Sequence, residues 1–348
     1  MSGSSLDGLD IAYVHLHSGA GKWGYSLEAA ETIPYSGEWR SMLEGATSLT
    51  ALEYLVLDQE YGHFIGERVN AFIQTRSLDF QVQLVASHGH TVFHRPAVGM
   101  TAQLGSGGAI AAITGLQVVS DLRALDVALG GQGAPIVPIG EKWLFPGYAY
   151  FLNLGGIANV SDAGAGMAFD VCPANRVLDL LAREKGEPFD RDGLFSASGR
   201  VIPSLLEALG GASHYREVPP KSLDNAFGLQ TYDLIRQSGC SPEDGLRTYV
   251  EHMVRQISAA LEGRPPGEML VTGGGAYNGF LLGCLRDMLE PQGIRVVVPE
   301  AGVVEYKEAL VVALFGVLRL RQEENTLASV TGASRSSIGG ALWNGQEG

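Results

Sequence analysis

The chain has 348 residues, 45% of them apolar and 18% charged, an ordinary globular composition long enough for two cores. A formal net charge of -14 argues against a nucleic-acid backbone as partner, because that affinity comes from Lys and Arg neutralising phosphates. Cys172, Cys240 and Cys284 are far apart with no CxxC, no apolar run is long enough to span a membrane, and MSGSSLDGLD lacks the basic region and apolar core of a signal peptide; a cytoplasmic protein without a disulfide framework or zinc knuckle is expected.

Gly3, Ser4, Ser5, Asp7 and Gly8 directly precede a strand-like IAYVHLH, and WGYSLEAAETI reads as a second strand. Small residues and hydroxyls beside Asp7 and Asp10 suit a turn that holds phosphates through N–H and O–H donors and a magnesium ion through carboxylate-bound water. Between Leu49 and Arg76, the residues Leu52, Leu55, Tyr61, Phe64, Ile65, Val69 and Phe72 recur at mostly helical spacing, which predicts one long packing helix or two shorter ones. VQLVASHGHTVFHRP is a buried strand followed by His88, His90, Thr91 and His94. Its three histidines suggest a metal site, but no carboxylate or cysteine completes a ligand spacing, and loop histidines more often donate hydrogen bonds. Asp121, Arg123 and Asp126 follow the strand LQVV ahead of GGQG, either as site residues or as a plain ion pair.

In FLNLGGIANVSDAGAGMAFDVCPAN, residues 151–175, short strands are joined by turns at Gly155-Gly156 and Gly164-Ala165-Gly166. Asp170 is expected where the last strand ends, and a helix is expected to open at Pro173. A glycine turn offers backbone N–H groups to a phosphate, and a carboxylate between strand and helix can act as a base; a hairpin with a helix-capping Asp is the plainer reading of the same residues. Further on, Pro219, Pro220, Lys221 and Ser222 form a rigid loop carrying one cation. Ser241 and Pro242 start a helix, and EMLVTGGGAYN is a strand whose Gly273, Gly274 and Gly275 could back a flat ligand. A long apolar helix then carries Glu308 in its first turns. Each half begins with a glycine-bearing hairpin and continues through strands and helices, as a duplicated α/β unit with a nucleotide cleft would. There is no GxxxxGK[ST], HExxH or GxSxG.

Taken together, MSGSSLDGLD, SHGHTVFHRP, GGQGAPIVP, NLGGIANVS, FDVCPAN, PPKS and VTGGGAYN resemble, in this order and over nearly the whole chain, the motifs of the anhydro-N-acetylmuramic acid kinase family, part of the sugar kinase, Hsp70 and actin fold group. The resemblance implies an α/β fold of two ribonuclease H-like, actin-like ATPase domains with an ATP cleft between them, assembled as a homodimer. The domains would be residues 1–130, completed by C-terminal residues and lacking a first strand, and residues 131–348. Gly3, Ser4, Ser5, Asp7, Gly8, Asp10, Asn153, Gly155, Gly156, Gly273, Gly274 and Gly275 would hold ATP, with Asp7 and Asp10 holding Mg2+ through water. His90, Thr91, Arg123, Asp126, Asn175 and Glu308 would line the sugar pocket, with Arg123 a donor to a lactyl carboxylate.

In a 1,6-anhydro sugar, O6 is locked in an ether to C1, so a base must act on water. The resemblance makes Asp170 that base: the water attacks C1 while O6 takes the γ-phosphate, giving N-acetylmuramic acid 6-phosphate in peptidoglycan recycling. The chain departs from the family pattern at Ser4 for Thr, His90 for Gln, and Val171, Cys172 and Ala174 for Thr, Gly and Gly. The reaction class therefore carries over better than the sugar, and a related branch acts on levoglucosan. An inactive paralogue and a nucleotide-driven binding module are the competing readings, separable by whether ADP release depends on the sugar. In the family the first methionine is internal and follows an apolar strand, so a strand pairing with residues 11–17 is expected to be missing and the natural product to start upstream.

Overall fold

The computed structural model describes residues 1–3, 6–219, 221–223 and 225–345. The chain divides into two units, Met1–Phe145 with Tyr306–Gly348, and Pro146–Glu305. In chain order the strands are β1 (Gly8–Gly19), β2 (Lys22–Pro34), β3 (Leu84–Ala86), β4 (His90–Arg95), β5 (Met100–Leu104), β6 (Gln117–Ser120), β7 (Tyr150–Leu154), β8 (Ile157–Asp162), β9 (Met167–Pro173), β10 (Gly267–Thr272), β11 (Ile294–Val297) and β12 (Ala341–Trp343).

The second unit is built on one mixed sheet, ordered β11-β10-β7-β8-β9. β7, β8 and β9 form an antiparallel meander, and β10 runs parallel to both β7 and β11. Parallel neighbours need crossover connections, which the helices here supply. The helix Pro242–Ala260 starts where Ser241 accepts from the backbone N–H of Asp244 and Pro242 occupies a first-turn position, and it buries Leu246, Tyr249, Val250, Met253 and Ile257. These meet Leu152, Leu154, Val160, Val271, Leu281 and Leu285 in a single core.

The first unit divides its strands among a β1–β2 hairpin, a β4–β5 hairpin and a sheet ordered β12-β6-β3. Its long helix is one element, Ala51–Thr75, opened by a reciprocal capping box between Thr50 and Glu53. The buried stripe is Leu57, Tyr61, Ile65, Val69 and Phe72, whereas Leu52 and Leu55, expected to pack, are 73% and 60% exposed. At 100° per residue they lie about 140° and about 160° around the helix from Leu57. The edge of β1 away from β2 is paired, among the described residues, only near its start. Ser2 bridges to Leu9, and Met1 exchanges backbone hydrogen bonds with Asp10. Beyond that point an apolar slot of about 510 Å3 separates β1 from β3, lined also by Val69, Phe72, Val312 and Val317. The helix Ala301–Leu320 is broken at Tyr306, where the chain passes back into the first unit.

Candidate active site

In the second unit, cross-strand pairing lines up one polar row. Asp170 on β9 faces Asn159 on β8, Asn159 faces Asn153 on β7, and Asn153 faces Thr272 on β10. Directly paired residues share a face of the sheet, so the four side chains lie along one face. Asp170 is inside β9, not at its end, and the next helix is Asn175–Arg183, not one opening at Pro173. The ladder continues to Pro173, with Val171 an extra residue between the Asp170–Asn159 and Cys172–Ala158 pairs, a bulge that turns the strand beside the carboxylate.

His214, Lys221 and Leu223 hold Asp170 in place. Its backbone N–H donates to Lys221 O (3.0 Å), its Oδ2 accepts from Leu223 N (2.9 Å), and its carbonyl accepts from His214 Nε2 (3.1 Å). Lys221 Nζ donates to His214 O (2.7 Å), which ties the two supports together. Burial pushes the Asp170 carboxyl above the usual carboxylate range, against the opposing pull of the Leu223 hydrogen bond and of His214. Burial pushes the adjacent Cys172 thiol up as well, which leaves it an apolar wall and not a nucleophile.

The glycine turns gather at the other end of this row. Gly273 has φ +81°, and a Cβ there would come within 2.6 Å of Asn153 Oδ1 and 2.8 Å of the Leu154 backbone, so the close approach of β10's end to β7 requires glycine. Ala174 N and Asn175 N donate to the carbonyls of Gly156 and Gly155. Asn175, expected on the sugar, lies against this turn: its Nδ2 donates to Leu154 O (2.8 Å), and its side chain lies against Gly275. A cavity of about 520 Å3 opens here, lined by Asn175, Asp179, Phe189, Arg191, Gly274 and Tyr277 among others. Burial pushes the Asp179 carboxyl up to about 6. The sequence reading missed Asn159 and Asp179. The first sits inside NLGGIANVS, and the second lies one helical turn after Asn175.

In the first unit, Asp10 Oδ1 accepts from Thr32 Oγ1 (2.6 Å), and Asp7 Oδ1 accepts from Gly8 N (3.1 Å). Burial and the nearby Asp7 push Asp10 up, while Thr32 and the amino terminus oppose this. Burial raises Glu308, against the pull of Lys307 and Arg123, and Asp10 adds to the rise; among the described residues no three such side chains are grouped to hold a metal ion. Gly3 is linked to Leu6 by a backbone hydrogen bond, while Ser4 and Ser5 lie outside the described residues.

The three histidines take three different partners. His90 is buried and its Nδ1 lies 3.1 Å from Ser2 Oγ, which itself accepts from Tyr35. His94 Nδ1 lies 3.1 Å from Thr101 Oγ1, and His88 Nε2 accepts from Arg123 Nε (2.9 Å). Thr91 follows His90 on β4, half-buried. Asp126 is 1% exposed, with one oxygen accepting from Gly133 N and the other from Thr331 Oγ1, both at 2.7 Å, so it fastens the GGQG turn.

A sequence profile described as Anhydro-N-acetylmuramic acid kinase matches residues 1–345. The anhydro-N-acetylmuramic acid kinase of Azorhizobium caulinodans is 35% identical, covering 99% of this chain and 97% of that one. Those of Gloeobacter violaceus (35%, covering 97% and 95%) and Pseudomonas fluorescens (32%, covering 99% and 98%) are also similar. Among solved structures, an activator of 2-hydroxyisocaproyl-CoA dehydratase from Clostridium difficile is matched at 16% identity with a TM-score of 0.36, covering 59% of this chain and 68% of that one, too loosely to argue from. The match along the whole length, at this identity, places the chain in the anhydro-N-acetylmuramic acid kinase family.

Proposed function

We propose that the protein is an ATP-dependent kinase that opens 1,6-anhydro-N-acetylmuramic acid with water and phosphorylates O6, giving N-acetylmuramic acid 6-phosphate in peptidoglycan recycling. The observation that carries this reading is Asp170, a part-buried carboxylate aimed by a bulge, fixed by the Leu223 amide and aligned with Asn159 and Asn153. Asp170 takes a proton from water as the water oxygen bonds to C1. The C1–O6 bond breaks, and O6 bonds to the γ-phosphorus as the bond to ADP breaks. Sugar-dependent ADP release, with a product heavier than the sugar by one water and one phosphoryl group, tests the proposal. ADP release that ignores the sugar would overturn it.

In this reading the turns at Asn153, Gly155, Gly156 and Gly273–Gly275, with Asn175, serve the nucleotide. The loop from Gly3 through Ser4 and Ser5 to Gly8 serves its phosphates. Burial and Asp7 raise the Asp10 carboxyl, and a cation held beside it through water would relieve this. Asp10 and Asp7 would hold Mg2+ through water; when bound it supplies neutralisation of phosphate charge. His90, Thr91, Arg123 and Glu308 serve the sugar, with Asp126 holding the turn behind Arg123. The strand order of the second unit, a three-strand meander extended by two parallel strands, supports the ribonuclease H-like reading. No helix among the described residues is long and apolar enough to cross a membrane. A cytoplasmic homodimer completes the proposal.

Gly274→Val is expected to weaken ATP binding at least about tenfold with little loss of stability. Of the three glycines, a Cβ at position 274 meets only Asn175 Nδ2, at 3.5 Å, whereas positions 273 and 275 have backbone or side-chain atoms within 2.8 Å. The added side chain therefore enters the cavity and not the core. Nucleotide titration of the folded variant checks this; unchanged affinity would assign the turn a purely structural role.

A further inference from the structure

We propose that His88 is a positioning residue for Arg123, holding the guanidinium in the orientation that meets the carboxylate of the sugar. This rests on the reading that Arg123 recognises that carboxylate. His88 is 4% exposed and is used by no step above. Arg123 Nε donates to its Nε2 at 2.9 Å, and since a guanidinium cannot accept, that nitrogen carries no proton. The proton is therefore on Nδ1, which lies 3.0 Å from the Gly89 carbonyl and donates to it. Gly89 has φ +69°, and a Cβ there would strike the Leu104 carbonyl, so this residue must be glycine to bring its own carbonyl round to the ring.

A second contact fixes the other side of the guanidinium. One Nη of Arg123 donates to Gly133 O (3.0 Å), and Gly133 is held in turn by Asp126, which Thr331 holds. Two acceptors on separate segments set both the plane and the rotation of the group and leave its remaining N–H donors for a ligand. Using an imidazole has a chemical consequence. Glu308 already acts on Arg123, and a carboxylate in place of His88 would orient the guanidinium equally well but add a second negative charge, whereas a neutral ring adds none where an anion is to be bound. Burial and Arg123 itself push the His88 ring down to about 3, so it stays neutral wherever the protein works.

The test uses the full chain with ATP and 1,6-anhydro-N-acetylmuramic acid. His88→Ala is expected to raise KM for the sugar about tenfold while kcat changes less than about threefold. His88→Gln, whose carboxamide oxygen can accept the same hydrogen bond, should recover most of the loss. In an Arg123→Gln background, His88→Ala should add nothing, because His88 acts only through that side chain. An unchanged KM in His88→Ala, a fall in kcat instead, or additive losses in the double variant would each overturn the proposal. If Arg123→Gln itself leaves KM unchanged, the carboxylate reading of Arg123 fails and the positioning role falls with it; if Arg123→Gln raises KM and His88→Ala does not, only the positioning role fails. Nitrogen-15 spectra of the wild-type histidines give a readout independent of folding in the variants. A protonated Nδ1 on His88 is expected, and a protonated Nε2 would refute the arrangement.

Discussion

Asp170→Asn is expected to lower turnover by about 100-fold to 10,000-fold while ATP and sugar still bind, because general-base action is worth that much and the carboxamide keeps the shape. The Leu223 amide can still donate to the retained oxygen, and the Asp170 backbone bonds to Lys221 and His214 are untouched, so the strand and its bulge should persist. Calorimetric titration beside a coupled assay separates binding from chemistry. A variant that keeps more than about a tenth of wild-type turnover is incompatible with the assigned role. The pH profile carries the same assignment. Burial raises the Asp170 carboxyl, and the base must be ionised, so activity should fall as pH drops through a value above the ordinary carboxylate range. An acid limb at the ordinary value would indicate a different base.

Glu141→Ala is expected to cost the first unit about 1.5 to 3 kcal/mol, since it removes a buried carboxylate that accepts from a charged donor. Lys307 Nζ lies 3.1 Å from Glu141 Oε1, and both side chains are 5% exposed. Calorimetry should show the melting transition of that unit lowered by about 6 °C. Replacing both residues by Met should recover most of the loss, because a buried ion pair adds little net stability over apolar side chains of similar volume. A single variant that melts within about 2 °C of wild type would mean that water reaches the pair.

Features governed by neighbouring residues were legible in the sequence. The helix at Pro242–Ala260 announces itself through Ser241, Pro242 and an apolar stripe, and the meander of β7, β8 and β9 through its glycine turns. The stretch from Asn153 to Asn175 and the turn at Gly273–Gly275 were both readable as site material, and the structure brings them together through the parallel pairing of β7 with β10. What was not legible depends on register and on distant segments. Val171 reads as an ordinary strand residue, and nothing near it in the sequence marks it as a bulge. The supports of Asp170 come from His214, Lys221 and Leu223, and that of Arg123 from His88, separations at which no local pattern survives. The contact of the Asn175 amide with Leu154 O links segments that no local pattern joins.

The two units differ in how their chain is interrupted, and this sets the order in which they can be completed during synthesis. Residues 146–305 are continuous, so every strand of the second unit's sheet is available before the last segment of the protein has been made. The first unit, begun earlier, must wait. Its strand β6 is flanked by β12, whose Trp343 Nε1 donates to Ser120 Oγ (2.9 Å), and Arg319 near the end of the helix Ala301–Leu320 donates to Gly340 O (2.8 Å). Domains usually finish in the order in which they leave the ribosome. Here the unit made first is finished last, and it carries an incomplete sheet and uncovered apolar faces until residue 343 emerges. The stage most exposed to misassembly is therefore the closing of the N-terminal unit, a step controlled by the far end of the chain.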